Sequence, residues 1–250
     1  MLLLFPERGS VALKTSNTNL RERSSLPDHM DKVIEISGDG SHTLFVPALG
    51  EHYHSMRGAV QEAMHVYLRA GLQRCDKQEI HLLEIGFGTG LNAFLTLLDT
   101  EASGKIIHYT ALEKYPIAIE QARELNYSDI IAPSREEEFT RLHEAPWNEW
   151  AAITPRFKLN KREHDVTRPE EFLPDALFDV IYFDAFGPEK QPDMWTRDIF
   201  ERVHALSGEG AVLTTYCAKG AVRRMLQEIG YRVERLPGPP GKREMLRAIK

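Results

Sequence analysis

Cysteine is scarce in this chain: Cys75 and Cys217 are its only two among 250 residues. Two thiols build neither a disulfide framework nor a cysteine-rich zinc site, and a reducing compartment is the simple reading. Long apolar runs are missing too, since no stretch approaches the roughly 18–20 apolar residues that a bilayer span needs. The opening Met-Leu-Leu-Leu-Phe is too short an apolar stretch for a secretory signal, and no cationic region precedes it. These absences read as a cytoplasmic protein. There is no excess of positive charge either: 31 Lys+Arg stand against 37 Asp+Glu, a net of −6. That balance excludes a uniformly basic, non-specific nucleic-acid binder, whose affinity rests on a Lys/Arg surplus. What is present is ordinary for a globular chain, 42% hydrophobic and 27% charged. Its length suffices to bury a core without metal or disulfide staples.

The patterning is uneven. Residues 1–29 are polar and aperiodic and read as a disordered, dispensable tail. Residues 30–76 read as a small unit packed on the core. It comprises two short strands around Gly38-Asp39-Gly40 and a helix over about 55–70 opened by a Ser cap. From 77 to 250, short apolar strands alternate with amphipathic helices. Strands are expected at 80–85, 105–113, 156–164, 178–186, 210–216, 231–236 and 244–249, and helices at 90–100, 116–125, 196–206 and 219–229. Such alternation predicts a doubly wound, mostly parallel seven-stranded sheet covered on both faces. The last two strands are separated only by Pro237-Gly238-Pro239-Pro240-Gly241, too short for a crossover, so they are expected to pair antiparallel. Residues 126–155 fit no strand–helix unit and read as a helical insertion.

The strongest local signal is Glu84-Ile85-Gly86-Phe87-Gly88-Thr89-Gly90-Leu91-Asn92, a buried strand entering a glycine loop and then a helix. Glycine serves where φ is positive and where a ligand must approach the main chain closely. In doubly wound sheets, ligands bind beyond the carboxyl ends of the strands, where this loop lies. Two further acids end neighbouring strands. Glu113 is a candidate for both hydroxyls of a ribose, and Asp165 for an adenine edge. Two cofactors suit the loop. Shifted by two residues, Gly88-Thr89-Gly90-Leu91-Asn92-Ala93 satisfies a dinucleotide fingerprint and points to an NAD(P)-dependent oxidoreductase. That frame leaves Gly86 and Glu84 unexplained. The pattern E-x-G-x-G-x-G, with an antiparallel last strand, resembles the class I S-adenosylmethionine-dependent methyltransferases, whose fold is Rossmann-like. In them such an acid serves the loop and the methionine end of the cofactor. A third reading is a catalytically silent RNA-binding module on the same fold.

Asp184 ends the fourth strand, Phe-Asp-Val-Ile-Tyr-Phe-Asp, where the chemistry of such a fold takes place. A carboxylate ending an apolar strand is costly without a purpose. Methyl transfer requires a nucleophile held in line with its lone pair free, and Asp184 is the candidate to orient an amine or take its proton. Tyr182 and Phe183 read as core, whereas Phe186 is expected to face the cleft.

Longer motifs follow. Pro188-Glu189-Lys190-Gln191-Pro192-Asp193-Met194-Trp195 resembles the signature of the tRNA 5-(aminomethyl)-2-thiouridine methyltransferases, which include the methyltransferase half of MnmC and the stand-alone MnmD type. The likeness continues in residues 218–231 and in Gly241-Lys242-Arg243-Glu244-Met245-Leu246. Upstream it runs through residues 38–44 and Glu51-His52-Tyr53-His54-Ser55. The resemblance implies N-methylation of the aminomethyl group on the wobble uridine of tRNA, with S-adenosyl-L-methionine as cofactor and no metal. It also implies a partner enzyme that makes the amine, because no residues remain here for an oxidase domain. Tyr53, His54 and Ser55, just before the first long helix, are expected to close over the cofactor, whose site also takes Glu84, Gly86, Phe87, Gly88, Gly90, Asn92, Glu113, Asp165 and Asp184. An anticodon loop needs stacking surfaces and cations. Trp195 and Phe186 are the aromatic candidates, and Lys190, Arg223, Arg224, Lys242 and Arg243 are the phosphate candidates.

The charge is not evenly spread. Residues 210–250 hold 9 Lys+Arg against 3 Asp+Glu, a net of +6, and the remainder holds 22 against 34, a net of −12. An acidic body with one basic face suits a selective RNA partner.

Overall fold

The computed structural model describes residues 31–168, 172 and 174–250. The expected tail at 1–29 lies outside the described residues. The chain opens with β1 (Val33–Ile36), β2 (His42–Val46) and β3 (Glu51–His52), which form a separate three-stranded antiparallel sheet. Helix α1 (Ala59–Ala63) runs directly into a π-helical turn, Met64–Arg69, and a short 3₁₀ segment, Leu72–Arg74. Then come β4 (Glu79–Ile85), α2 (Leu91–Ser103), β5 (Ile106–Glu113), α3 (Ile119–Arg123), α4 (Tyr127–Ile131) and α5 (Glu136–Glu144). The remainder is β6 (Trp150–Ala152), β7 (Phe157–Glu163), β8 (Phe178–Phe183), α6 (Arg197–Leu206), β9 (Ser207–Thr215), α7 (Gly220–Ile229), β10 (Arg232–Pro237) and β11 (Glu244–Ile249).

Strands β4 to β11 form one sheet in the order β10-β11-β9-β8-β4-β5-β7-β6. The inner five, β9-β8-β4-β5-β7, are parallel, and β11 pairs antiparallel with both β9 and β10, as the short proline-glycine connection requires. Strand β8 is buried at every position, the mark of a strand covered on both faces. Its large fully buried side chains each contribute roughly 1.5–3 kcal/mol. One core joins the sheet to α1, the π turn, α2 and α5. The other joins it to α6 and α7, where Val222 and Leu226 share an inward face. The strand order reverses between β4 and β8, so the ligand crevice is expected beyond their carboxyl ends.

Two expectations are corrected. The sheet has eight strands rather than seven, because the 126–155 segment is helical only through Glu144 and then supplies β6. That short strand pairs antiparallel with β7 and occupies ladder groups that an edge strand would leave free. The first long helix begins at Ala59 rather than Ser55, after Gly58 at φ +143°. Ser55 therefore caps nothing: its hydroxyl accepts from the Arg57 N–H (3.2 Å), and its own N–H donates to Glu62 Oε2 (2.8 Å). Among the described residues, no helix is long and apolar enough to cross a membrane.

Candidate active site

A cleft of about 790 Å³ lies at the carboxyl ends of β4, β5, β7, β8 and β9 and is covered by the N-terminal sheet. Several side chains tie that roof down. Tyr53 packs edge-on against Phe186 (5.1 Å between ring centres), and His54 Nε2 is 2.8 Å from Thr89 Oγ1 in the glycine loop. Lys190 donates to the carbonyls of Leu49 (2.8 Å) and Gly50 (3.3 Å). Burial lowers His54 to about 4, so it joins the roof as neutral imidazole.

Two glycines build the floor. Gly86, at φ +94°, would carry a Cβ 2.5 Å from the Asp184 carbonyl oxygen; its absence lets the ends of β4 and β8 meet. The contact is sealed by the Asp184 N–H donating to Ile85 O (3.0 Å). Gly88, at φ +50°, would place a Cβ 2.9 Å from the Tyr53 ring. The Gly88 N–H donates to Glu113 Oε2 (3.0 Å), and the Tyr115 N–H donates to Glu113 Oε1 (2.7 Å). A carboxylate has about four acceptor positions, so Glu113 keeps two for a ligand. Asp165 is held by Lys114 (2.9 Å), Arg168 (3.4 Å) and the Thr167 hydroxyl (2.6 Å). Burial works to raise its carboxyl, but the hydrogen bonds from Thr167 and Lys114 outweigh it and hold the group below the usual carboxylate range.

The chemistry-bearing end centres on Asp184, whose two oxygens have different partners. Tyr67 donates its hydroxyl to Oδ1 (2.6 Å), and Asn92 donates Nδ2 to Oδ2 (2.8 Å). Burial pushes the Asp184 carboxyl up to about 7, against the pull of the Tyr67 hydrogen bond. The Asp184 carboxyl therefore changes its charge near neutrality. Beside it, Lys242 pairs with the buried Glu62 and stands 3.9 Å from the centre of the Tyr216 ring. Tyr216 in turn donates to the Ala185 carbonyl (2.8 Å).

The chain matches a family model described as S-adenosyl-L-methionine-dependent methyltransferase over residues 137–250. It is 33% identical over 219 residues to the tRNA 5-methylaminomethyl-2-thiouridine biosynthesis bifunctional protein MnmC of Burkholderia thailandensis. That alignment takes in 82% of this chain and 33% of the relative. With MnmC of Burkholderia multivorans the identity is 31% over 239 residues, covering 88% of this chain and 35% of the relative. The chain therefore spans about a third of the length of these curated relatives. The crystal structure of MnmC2 from Aquifex aeolicus superposes with a TM-score of 0.72 at 25% identity, covering 89% of this chain and 71% of that one. Residues 137–250 thus match the S-adenosyl-L-methionine-dependent methyltransferases, and most of the chain superposes on MnmC2. The chain's fold is the Rossmann-like class I arrangement, and its cofactor is S-adenosyl-L-methionine.

The cleft fits that cofactor: Gly86 and Gly88 leave bare backbone where a Cβ would intrude, and the half-satisfied Glu113 faces the same space. Of the expected cofactor residues, Tyr53, Ser55, Gly86, Phe87, Gly88, Asn92, Glu113, Asp165 and Asp184 line the cleft. Glu84 and Gly90 do not. Glu84 is fully buried on β4 and is linked to the cleft by Asn92, whose Nδ2 donates to Glu84 Oε1 (2.9 Å). Gly90 lies beneath the loop, where a Cβ would strike His143 Nε2 at 2.8 Å.

Of the expected RNA-contacting residues, Phe186, Lys190 and Lys242 line the cleft. Trp195 is not a stacking platform. It is 5% exposed, packs between Phe183 and Phe200, and donates Nε1 to the Phe186 carbonyl (2.7 Å). An indole with its apolar faces covered and its N–H satisfied is core. Arg223 and Arg224 on α7 and the exposed Arg243 stand outside the cleft lining. Glu62, Tyr67 and Tyr216 were not expected. Tyr216 ends a predicted strand beside the others, and that position was the available signal. Nothing local marks the two helix residues.

Proposed function

We propose that this chain transfers a methyl group from S-adenosyl-L-methionine to the primary amine of a 5-aminomethyl wobble uridine (position 34) in tRNA. The product is the 5-methylaminomethyl-2-thiouridine form. The observation that carries the proposal is Asp184: a carboxylate poised near neutrality at the end of β8, in the same cleft as the glycine loop and Glu113. The MnmC names of the relatives and the long motifs supply the substrate class.

When bound, the cofactor supplies an electrophilic methyl group on a cationic sulfur. The backbone of Gly86 to Gly88 and the Glu113 carboxylate hold its nucleoside part, with Asp165 at the base edge. Tyr53, closed down on Gly88, and Ser55 cover it. An alkylamine is mostly protonated near pH 7 and must be neutral to attack. Asp184 accepts the amine's proton, which frees the nitrogen lone pair for the methyl group that the bound cofactor would supply. The aromatic faces of Phe186 and Tyr216 at the cleft suit the cation that builds on the amine. Lys190 and Lys242 at the cleft, with Arg223, Arg224 and Arg243 on the surface nearby in sequence, meet the phosphates of the anticodon loop. The acceptor uridine must already carry its amine, so an amine-forming activity acts upstream.

The test is methylation in vitro. Purified protein is given S-adenosyl-L-methionine and tRNA carrying 5-aminomethyl-2-thiouridine, and digested nucleosides are read by mass spectrometry. A gain of one methyl group on that nucleoside is expected. An unaltered nucleoside, or calorimetric binding of NAD without binding of S-adenosyl-L-methionine, would defeat the proposal.

A further inference from the structure

The Asp184 carboxylate is gripped from two helical segments, and one grip requires an irregular helix. We infer that Tyr67 is a positioning residue for methyl transfer: with Asn92 it clamps the two Asp184 oxygens, leaving each one acceptor position for the incoming amine. This rests on the proposed role of Asp184 as the base.

The hydroxyl–carboxylate distance of 2.6 Å falls in the charge-assisted range. Asn92 meets the other oxygen at 2.8 Å, so of about four acceptor positions on the carboxylate two are spent on fixing its plane. The Tyr67 ring is 2% exposed and packs 5.2 Å from Tyr182, the strand residue two before Asp184. Phenol and carboxylate are thereby mounted on neighbouring, mutually packed supports. The π turn at Met64–Arg69 widens the helix where Tyr67 enters, with the Ala70 N–H reaching back to His65 O (3.3 Å). Such turns give up hydrogen-bond quality and recur at functional sites. Just after the turn comes Gly71, where a Cβ would lie 2.4 Å from the Tyr67 carbonyl oxygen and 3.2 Å from Tyr182 Cε1. A tyrosine serving packing alone would need none of this, and burying its hydroxyl would cost free energy without the acceptor.

In the step served, an N–H bond of the ammonium breaks and an O–H bond forms on a remaining Asp184 lone pair, with Tyr67 and Asn92 keeping their own protons. The proton later leaves to water. The groups facing Asp184 are Glu62 from α1, Tyr67 from the π turn, Glu84 from β4, Asn92 from α2, Tyr109 from β5, Tyr216 after β9 and Lys242 between β10 and β11. Burial and Glu62 favour the protonated acid; Tyr67, Asn92 and Lys242 favour the carboxylate. Removing the phenol therefore raises the pH at which Asp184 gives up its proton.

The experiment is Tyr67→Phe, which keeps the ring. The Asp184 carboxyl titration is followed by carbon NMR on selectively labelled protein, and kcat for the aminomethyl tRNA is measured across pH. The titration and the acidic limb of kcat should both move up by half a unit or more, on the order of a threefold or larger change in proton affinity. The rate at pH 7 should fall about twofold or more and recover at higher pH, with S-adenosyl-L-methionine affinity unchanged. A titration that stays at the wild-type value, or a kcat lowered equally at every pH, overturns the inference. If Tyr67→Phe moves the titration while the wild-type protein leaves the tRNA unmethylated, the clamp stands and the proposed reaction falls.

Discussion

Lys242 and Glu62, 180 residues apart in the chain, form an ion pair inside the cleft, with the Lys242 ammonium on the face of Tyr216. The Glu62 side chain is 7% exposed and that of Lys242 33%. The pair joins the helix after the N-terminal sheet to the β10–β11 connection, and it matters more for its geometry than for its net energy.

Removing one partner strands the other. Lys242→Met is expected to cost roughly 1–3 kcal/mol, less than for a fully dry pair because the lysine keeps contact with water. The double variant Glu62→Gln/Lys242→Met should recover most of that loss. Urea denaturation of the two single variants and the double variant measures the coupling; costs that simply add would show the pair to be energetically idle.

Asp184→Asn should lower kcat by about 10²–10⁴-fold, the usual range for a lost general base, and change S-adenosyl-L-methionine affinity little. The same variant has a stability signature. The folded chain holds Asp184's proton up to about pH 7, whereas an unfolded carboxyl loses it near pH 4, so this group's contribution to stability declines as pH rises between those values. From pH 5 to pH 8 the difference between the two proteins should therefore move in favour of the asparagine by about 1–2 kcal/mol, discounted because Asp184 keeps some contact with solvent. Paired denaturation curves at the two pH values test it, and a difference that stays constant would contradict the raised carboxyl.

Glu113→Ala removes an acceptor that fixes Gly88 and faces the cofactor's space. Hydrogen bonds to charged groups contribute about 1.5–3 kcal/mol each, so cofactor affinity should fall at least tenfold. Calorimetric titration with S-adenosyl-L-methionine and with its demethylated product should show equal losses, since the ribose is common to both. A loss confined to one of them would assign Glu113 to the sulfur end instead.

Trp195 supplies a control for RNA contact. Trp195→Ala should destabilise the fold by roughly 3–5 kcal/mol, as for other large buried side chains. Trp195→Phe keeps most of the packing and should leave tRNA affinity unchanged in a filter-binding assay. Arg223→Ala/Arg224→Ala should do the reverse. Stability should stay intact, and the salt dependence of tRNA binding should fall by about 0.7 for each phosphate no longer neutralised.

Much of this was legible in the chain. The bounds of β11 match the predicted 244–249, because a proline-glycine turn punctuates its start and it pairs along its whole length with β10. Glu113, Asp165 and Asp184 meet in one cleft because parallel strands deliver their carboxyl ends to one edge of a sheet, so position along the strand was enough. Position along a helix was not. Residues five apart on a regular α-helix point about 140° away from each other, which would place Glu62 and Tyr67 on different faces, yet the π turn brings both to the Asp184 side. The three-residue β6 was equally hidden, since its pairing is dictated by the free edge of β7 rather than by its own pattern. Trp195 misled for the opposite reason: a family motif marks which residues matter, but not whether they matter through packing.

The roof carries a consequence for how such enzymes can be divided. Because Tyr53 lies against Gly88 and His54 reaches Thr89, the glycine loop is completed from outside the large sheet. A transplant of residues 77–250 onto another protein would carry every glycine of the loop and still arrive with that loop open on one side. Inheritance and engineering must move the small sheet together with the large one, so the portable unit here is larger than the fold that lends the superfamily its name.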